Sequence, residues 1–208
     1  MSEPPFIQPA AILRWFFPGS FWRLKGEEKI VYLTFDDGPH PIVTEWVLNQ
    51  LEINKQRATF FCIGKNIDAH PSVFKNVIEK GNVVGNHSYS HNRNFVNNNE
   101  LFFDDINKCQ LLFKTVLFRP PYGKIKFSQF YKLRKKFRII FWDVLSYDYD
   151  DKYSGKDCAH FVTKYLRNGS IITFHDSEKA FPRLRIALPI VLEYLKVNGY
   201  KSIPIQFN

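Results

Sequence analysis

Short apolar runs alternate with stretches of helical period along the chain. A run rich in β-branched and aromatic residues occupies 29–35, and others follow at 58–63, 83–84, 117–118, 138–142, 170–174 and 200–204. Each is short, is bounded by turn-forming or charged residues, and reads as a strand. Between them, apolar residues recur near helical spacing. Val43, Trp46, Val47 and Leu51 mark a helix over 41–54, and Val73, Phe74, Val77 and Ile78 mark one that Pro71 opens and Gly81 stops. Leu101, Phe102, Ile106, Cys109 and Phe113 mark a third, introduced by the capping-type run Asn97-Asn98-Asn99. Further helices are predicted over 128–136, 156–166 and 183–197, the last with Pro189 as an expected kink.

Strands alternating with helices predict parallel pairing, with crossover helices on the faces of the sheet. About seven strands are expected by this pattern, which admits an open sheet and a barrel alike. No Gly-x-Gly-x-x-Gly or phosphate-loop motif follows the first strand, which argues against a dinucleotide or nucleotide site. The ends of the runs are more informative than the runs. Asp36 and Asp37 follow the first, with Gly38 and Pro39 forcing a turn; His87 and His91 follow the third. Arg119 and Tyr122 follow the fourth, Asp143 and Asp148 the fifth, His175 and Asp176 the sixth. In a βα-repeat protein these ends share one face, where different strands pool their side chains.

Charge changes the picture less. Lys and Arg number 29 against 20 acids, a net +9 that suits nucleic acid, anionic lipid or anionic glycan. The cations are scattered apart from a denser run at 132–138, and no finger spacing or arginine-rich arm is present, so no nucleic-acid partner is expected. Cys62, Cys109 and Cys158 stand alone, which indicates neither a thiolate zinc site nor a disulfide framework. The first residues lack the basic start of a secretory signal, and no apolar run approaches the ~20 residues of a membrane span. A cytoplasmic or membrane-peripheral location follows as the expectation. Residues 1–25 form an aromatic and basic extension, and no linker divides 26–208. Within the extension, 10–23 is expected to pack on the core, with weak peripheral membrane contact as the alternative.

The chemistry is read from the strand ends. His87 and His91 lie four residues apart, a spacing that lets two imidazoles meet from a helix face or a turn. Alone, the pair reads as a polar loop. With Asp37 as third donor, the set suits zinc and related divalent ions, leaving a position for water. Asp36 is then placed to take a proton from that water, and His175 to donate one to a leaving atom. Arg119 can hold a carboxylate with its planar fork. A serine hydrolase is disfavoured, since Gly-x-Ser-x-Gly is absent. A glycosidase using Asp36 and Asp148 would leave His87 and His91 without a role.

Taken in order, Thr34-Phe35-Asp36-Asp37-Gly38-Pro39, His87-Ser88-Tyr89-Ser90-His91, Arg119-Pro120-Pro121-Tyr122 and Ile172-Thr173-Phe174-His175-Asp176 resemble the motifs of the polysaccharide deacetylase family. That carbohydrate esterase group contains chitin, chitooligosaccharide and peptidoglycan deacetylases. The resemblance runs from Ile30 to about Gly199. It implies a distorted, incomplete (β/α) barrel, a single catalytic domain over 26–208, and removal of N-acetyl groups from the amino sugars of a glycan. It also implies one divalent ion, zinc first and cobalt or nickel next, on Asp37, His87 and His91. Asp36 resembles the general base, Arg119 the residue that positions it, the Tyr122 backbone N–H part of an oxyanion hole, and His175 the general acid. Trp142, Leu145, Asp148, Tyr149 and Thr173 fall in the substrate pocket by the same resemblance. Three of these depart from the usual pattern: Leu145 where an acid is common, Tyr149 for a tryptophan, and Thr173 for an aliphatic residue against the acetyl methyl. A catalytically silent glycan-binding or wall-associated protein is the alternative. Intact Asp36 and His175 weigh against it, because binding requires neither.

Overall fold

The strand β1 (Ile30–Asp36) has six of its seven residues buried, and the others are laid against it. The computed structural model describes residues 3–4, 7–9, 11–25 and 28–207, the side chains at 11 and 13 excepted. In chain order the elements are α1 (Ala11–Phe16), β1, α2 (Val43–Ile53), β2 (Ala58–Cys62), α3 (Gly64–Ala69), α4 (Pro71–Glu79) and β3 (Val83–Asn86). Then come α5 (Asn99–Leu112), β4 (Leu117–Phe118), α6 (Phe127–Leu133), β5 (Arg138–Ile139) and β6 (Val144–Leu145). The chain closes with α7 (Gly155–Tyr165), β7 (Ile171–His175), α8 (Phe181–Val197) and β8 (Lys201–Ser202). Short 3₁₀ turns cover Arg93–Asn97 and Pro121–Gly123.

The strand order is β5-β4-β3-β2-β1-β7-β6, with β8 also paired to β1. Every pairing between named strands is parallel. β8 takes the start of β1, at Ile30 and Val31, while β2 takes Leu33 to Asp36. The sheet curls but does not close, because β5 and β6 stand at its two ends. The N-terminal segment lies across that seam. Phe21 donates its N–H to Ile139 O at 2.9 Å, Phe141 donates to Phe21 O at 2.7 Å, and Leu24 donates to Gly169 O at 2.9 Å. The result is the incomplete barrel that the motifs imply.

Two-residue alternation along β1 separates packing from chemistry. Val31, Leu33 and Phe35 join the core that the helices cover, where Phe35 stacks on Phe60 at 5.1 Å and Phe174 at 6.0 Å. Thr34 and Asp36 are polar yet buried, on the alternate side of the strand. Fully burying one such phenylalanine contributes roughly 1.5–3 kcal/mol, enough to hold the register that keeps Asp36 off the helix side.

Four elements differ from expectation. The expected strand at 138–142 ends at Ile139, and a separate β6 follows at Val144–Leu145, pairing with β7. Phe21 takes the backbone partners of Ile139 and Phe141, so the chain turns from one end of the sheet to the other there. A short helix, α3, where no helix was expected, starts at Gly64 directly after the second strand; a Cβ on Gly64 would lie 2.5 Å from the Tyr89 ring, so glycine is what lets the His87–His91 turn approach. α6 stops at Leu133, short of the expected 136. α8 runs unbroken through Pro189. Among the described residues, no helix is long and apolar enough to cross a membrane.

Candidate active site

Asp36 and Asp37 are neighbours with different surroundings, because the backbone turns between them. Asp37 has φ 81°, in the left-handed region. The Gly38–Pro39 peptide that follows is cis. Asp176 anchors this turn from β7: its Oδ1 accepts from Gly38 N at 3.0 Å and its Oδ2 from Thr44 Oγ1 at 2.5 Å. A Cβ on Gly38 would sit 2.1 Å from the Asp176 carboxylate, so no larger residue fits. Burial pushes the Asp176 carboxyl up to about 7, against the two donors that oppose the shift. Asp37, His91, Tyr122 and Tyr147 are four of the seven non-glycine residues with positive φ among the described residues, and all four line one cavity. Such conformations cost of order 1–3 kcal/mol each and collect where geometry serves chemistry.

One carboxylate and two imidazoles meet at this turn. A ligand atom from each of Asp37, His87 and His91 lies within 4.8 Å of the others. His91 Nε2 is 3.4 Å from Asp37 Oδ1, and His87 Nε2 is 3.7 Å from it. His87 Nδ1 lies 2.8 Å from Arg119 O, so it carries the proton, donates it there, and leaves the Nε2 lone pair facing Asp37. Asp37 Oδ1 is buried with no hydrogen-bond partner among the described residues. Burial raises the Asp37 carboxyl, yet the charges of His175, His87, His91 and Lys179 outweigh it and hold the group below its ordinary value. Burial and the adjacent His87 push His91 down to about 4, so its ring is neutral near neutral pH. An orphaned carboxylate oxygen beside two imidazole nitrogens is what a divalent cation requires, and the set fits one.

Asp36 is held from the other side. Arg119 is fully buried. It donates from Nη1 to Asp36 Oδ1 at 2.6 Å and to Thr34 Oγ1 at 2.7 Å, from Nη2 to Phe141 O at 3.0 Å, and from Nε to Ile140 O at 3.3 Å. Its guanidinium also lies 4.1 Å from the Phe61 ring centre. A planar fork with this many partners has one orientation, so the Asp36 carboxylate has one too. Asp36 Oδ2 is 3.9 Å from His87 Nε2. Thr173 joins the same network. Thr34 Oγ1 donates to Ile172 O and stands 3.2 Å from Thr173 Oγ1, so the Thr173 hydroxyl donates to it.

His175 faces Asp36 across the β1–β7 ladder, where the two are register partners on strands about 4.8 Å apart. Asp148 fixes it at two points, accepting from His175 N at 2.9 Å and from Nδ1 at 2.7 Å. The Nδ1 proton is thereby assigned, and Nε2 is the atom left for chemistry. Burial acts to lower the imidazole, but the Asp148 carboxylate outweighs it and the value rises to about 9. Tyr149 meets the ring edge-on at 5.0 Å.

These groups line a cavity of about 620 Å³, walled by aromatic and apolar residues. Asp36, Asp37, His87, His91, Tyr122, Trp142, Leu145, Tyr149, Thr173 and His175 all reach it. Arg119 and Asp148 lie behind it: Arg119 backs Asp36, and Asp148, expected on the pocket wall, backs His175. Asp143 is elsewhere. It is buried in contact with Arg14, Arg167 and Ser170, tying the N-terminal segment to the sheet. Sequence reasoning missed Phe17 and Trp22, which bring the N-terminal segment to the cavity wall. Their only signal was aromatic density. It also missed the anchoring role of Asp176, although its place beside His175 marked it.

Water attack needs an ion to gather charge, a carboxylate to take a proton and an acid to return one. A donor trio able to hold a divalent ion, with a carboxylate and an imidazole beside it on the rim of a curled parallel sheet, defines the class of metal-dependent hydrolases. The chain belongs to the polysaccharide deacetylase family, whose profile matches residues 23–136. It is 30% identical over 192 residues to a peptidoglycan-N-acetylglucosamine deacetylase of Bacillus cereus, a match covering 89% of this chain and 90% of that protein. It is 32% identical over 185 residues to the peptidoglycan-N-acetylmuramic acid deacetylase PdaC of Bacillus subtilis, covering 86% of this chain and 38% of that longer protein. The fold is similar, with TM-score 0.82 and 27% identity, to the crystal structure of the Bc1960 peptidoglycan N-acetylglucosamine deacetylase, covering 90% of this chain and 91% of that one. Family and donor set together make the chain a metal-dependent deacetylase acting on N-acetylated glycans.

Proposed function

We propose that the chain hydrolyses the N-acetyl group of amino sugars in a peptidoglycan-like or chitooligosaccharide glycan, with Asp36 as base and His175 as acid. The observation that carries this reading is the pairing of those two residues across one ladder step, each locked from behind, beside the Asp37, His87 and His91 trio. The relatives that are peptidoglycan deacetylases favour the peptidoglycan-like substrate. Zinc is the proposed ion, because two imidazoles and a carboxylate match its preferred ligands; cobalt and nickel accept the same donors. Bound there, such an ion polarises the acetyl carbonyl and lowers the pKa of a water.

The protein's own groups do the rest. Asp36, oriented by Arg119, takes a proton as the water oxygen adds to the carbonyl carbon. The Tyr122 N–H donates to the carbonyl oxygen as negative charge grows on it. His175 then donates its Nε2 proton to the amide nitrogen, the C–N bond breaks, and acetate leaves a free amino sugar. Trp142, Leu145, Tyr149 and Thr173 shape the wall that receives the sugar and its acetyl group. The Thr173 hydroxyl in that wall is hydrogen-bonded to Thr34 Oγ1.

Acetate release from peptidoglycan fragments and N-acetylated chitooligomers, with metal-replete protein beside Asp36→Asn, tests the reading. Release that the variant loses is the expected result. Tight glycan binding without release would instead make the chain a silent glycan-binding protein.

A further inference from the structure

The outer side of the N-terminal segment is an exposed aromatic surface. Residues three and four apart share a helix face, so α1 turns Ile12, Trp15 and Phe16 to one side. They are 62%, 85% and 50% exposed. The Phe16 ring lies 6.0 Å from that of Phe127 on α6. Phe127 is itself 53% exposed, and Tyr131, one helical turn further, 48%. These side chains make one strip from α1 to α6. Of the four tryptophans, Trp15 is the one in the exposed class. A contiguous apolar strip of this kind marks a contact surface.

The strip is bordered by charge of one sign. From Lys124 to Arg138 the chain carries seven cations and no acid. Lys124, Arg134 and Lys135 are exposed, and Arg134 lies 5.7 Å from the Tyr131 ring centre. Lys132 shares a groove with Glu100 and Asp104, so its charge is partly answered. A soluble polyanion satisfies the cations but offers Trp15 and Phe16 nothing apolar to enter. An anionic bilayer offers both, phosphates for the cations and an acyl boundary for the rings.

We propose that this face docks the protein on an anionic lipid surface. The segment has two sides with two tasks. Phe16 faces outward, while Phe17 lines the catalytic cavity; Lys124 lies outward, while Gly123 lines it. Docking therefore sets the cavity beside the headgroup layer, where a saccharide held at the membrane meets it.

The test is binding of the whole chain to vesicles of phosphatidylglycerol and phosphatidylcholine, against phosphatidylcholine alone, by co-sedimentation and tryptophan emission. Binding should require the anionic lipid, weaken in 0.5 M salt, and shift the emission of Trp15 to the blue. Trp15→Ser should bind about tenfold more weakly and lose the shift, since burying a large apolar side chain is worth at least that factor. Lys124→Gln with Lys135→Gln should weaken binding about 25-fold, each cation near an anionic surface contributing about fivefold. Equal binding to both vesicle types, or to neither, overturns the proposal. Undiminished binding by Trp15→Ser that soluble polyglutamate abolishes also overturns it, and assigns the face to a soluble polyanion.

Discussion

Asp148→Asn separates the proposed acid from its support without touching the cavity wall. Asp148 accepts two hydrogen bonds from His175, from the backbone N and from Nδ1. Asparagine offers one acceptor oxygen, so one of these donors loses its partner, at a cost of about 1–3 kcal/mol. The larger effect is electrostatic. Burial alone would push His175 below its ordinary 6.5, and the Asp148 carboxylate is the main force lifting it to about 9. Without that charge burial opposes only the weaker lift from Asp37 and Asp36, and the imidazole falls back toward its ordinary value of about 6.5. At pH 8 a group of pKa 9 is about 90% protonated and one of pKa 6.5 about 3%, a loss of roughly 30-fold in the acid form. At pH 5.5 both are protonated, and that loss disappears. Any charge bound at the trio acts on both proteins alike, so the difference between them survives its presence.

The assay is kcat/KM for acetate release across pH 5 to 10, which reports the groups of the free enzyme. The alkaline limb should move down by about 2.5 pH units in Asp148→Asn, with activity at low pH least affected. A uniform loss at every pH would mean that Asp148 only holds the ring in place. An unmoved alkaline limb would mean that His175 is not the acid.

Three further outcomes follow from the same geometry. Asp37→Asn should lose the divalent ion on dialysis, whereas Asp36→Asn should keep it and lose about 100-fold or more in turnover; the opposite pattern in metal analysis and kcat would exchange their roles. Arg119→Lys cannot reach Ile140 O, Phe141 O, Thr34 and Asp36 together, and with each buried acceptor left unpaired costing about 1–3 kcal/mol, a large drop in Tm by calorimetry is expected. In ion-free protein, His91 and His175 pull stability in opposite directions with pH. His91 is depressed to about 4, so its contribution is present above 6.5 and is lost as pH falls through 4. His175 is raised to about 9, so its contribution is present below 6.5 and is lost as pH rises through 9. Urea unfolding across that range should reveal both slopes, His91→Asn flattening the acidic one.

Strand ends made much of this site legible before any coordinates. Asp36, Asp37, His87, His91, Arg119 and His175 each terminate or closely follow an apolar run, and parallel topology brings such ends to one rim. Asp148 and Asp143 show where that reasoning stops. Both follow the same run, yet one backs His175 and the other binds Arg14 and Arg167. The strand β6 that separates them is two residues long, and its place depends on backbone partners far away in the chain: β7 on one side, and Ile7 O for Leu145 N. Periodicity reports local pattern and is silent on such pairings. The N-terminal residues were hidden for the same reason. Trp22 stacks on Phe141 at 4.2 Å, a contact across more than a hundred residues that aromatic density alone does not locate.

The different surroundings of the adjacent Asp36 and Asp37, the proposed base and the proposed ligand, follow from one change of backbone. Up to Asp36 the chain is a regular strand, so Thr34 and Asp36 share a side and meet Arg119 together. A regular strand would carry the next side chain to the opposite side, into the layer that holds Phe35. The left-handed conformation at Asp37 breaks that alternation and lets its carboxylate meet the imidazoles beside Asp36. Asp176 keeps the turn in place through Gly38, and Asn66 donates to Asp37 O at 2.7 Å. Two carboxylates in successive positions thus acquire different partners: a guanidinium for Asp36, and for Asp37 two imidazole rings with an oxygen left over. The first is oriented as the proposed proton acceptor, and the second is left with the free oxygen that the proposed ligand role requires.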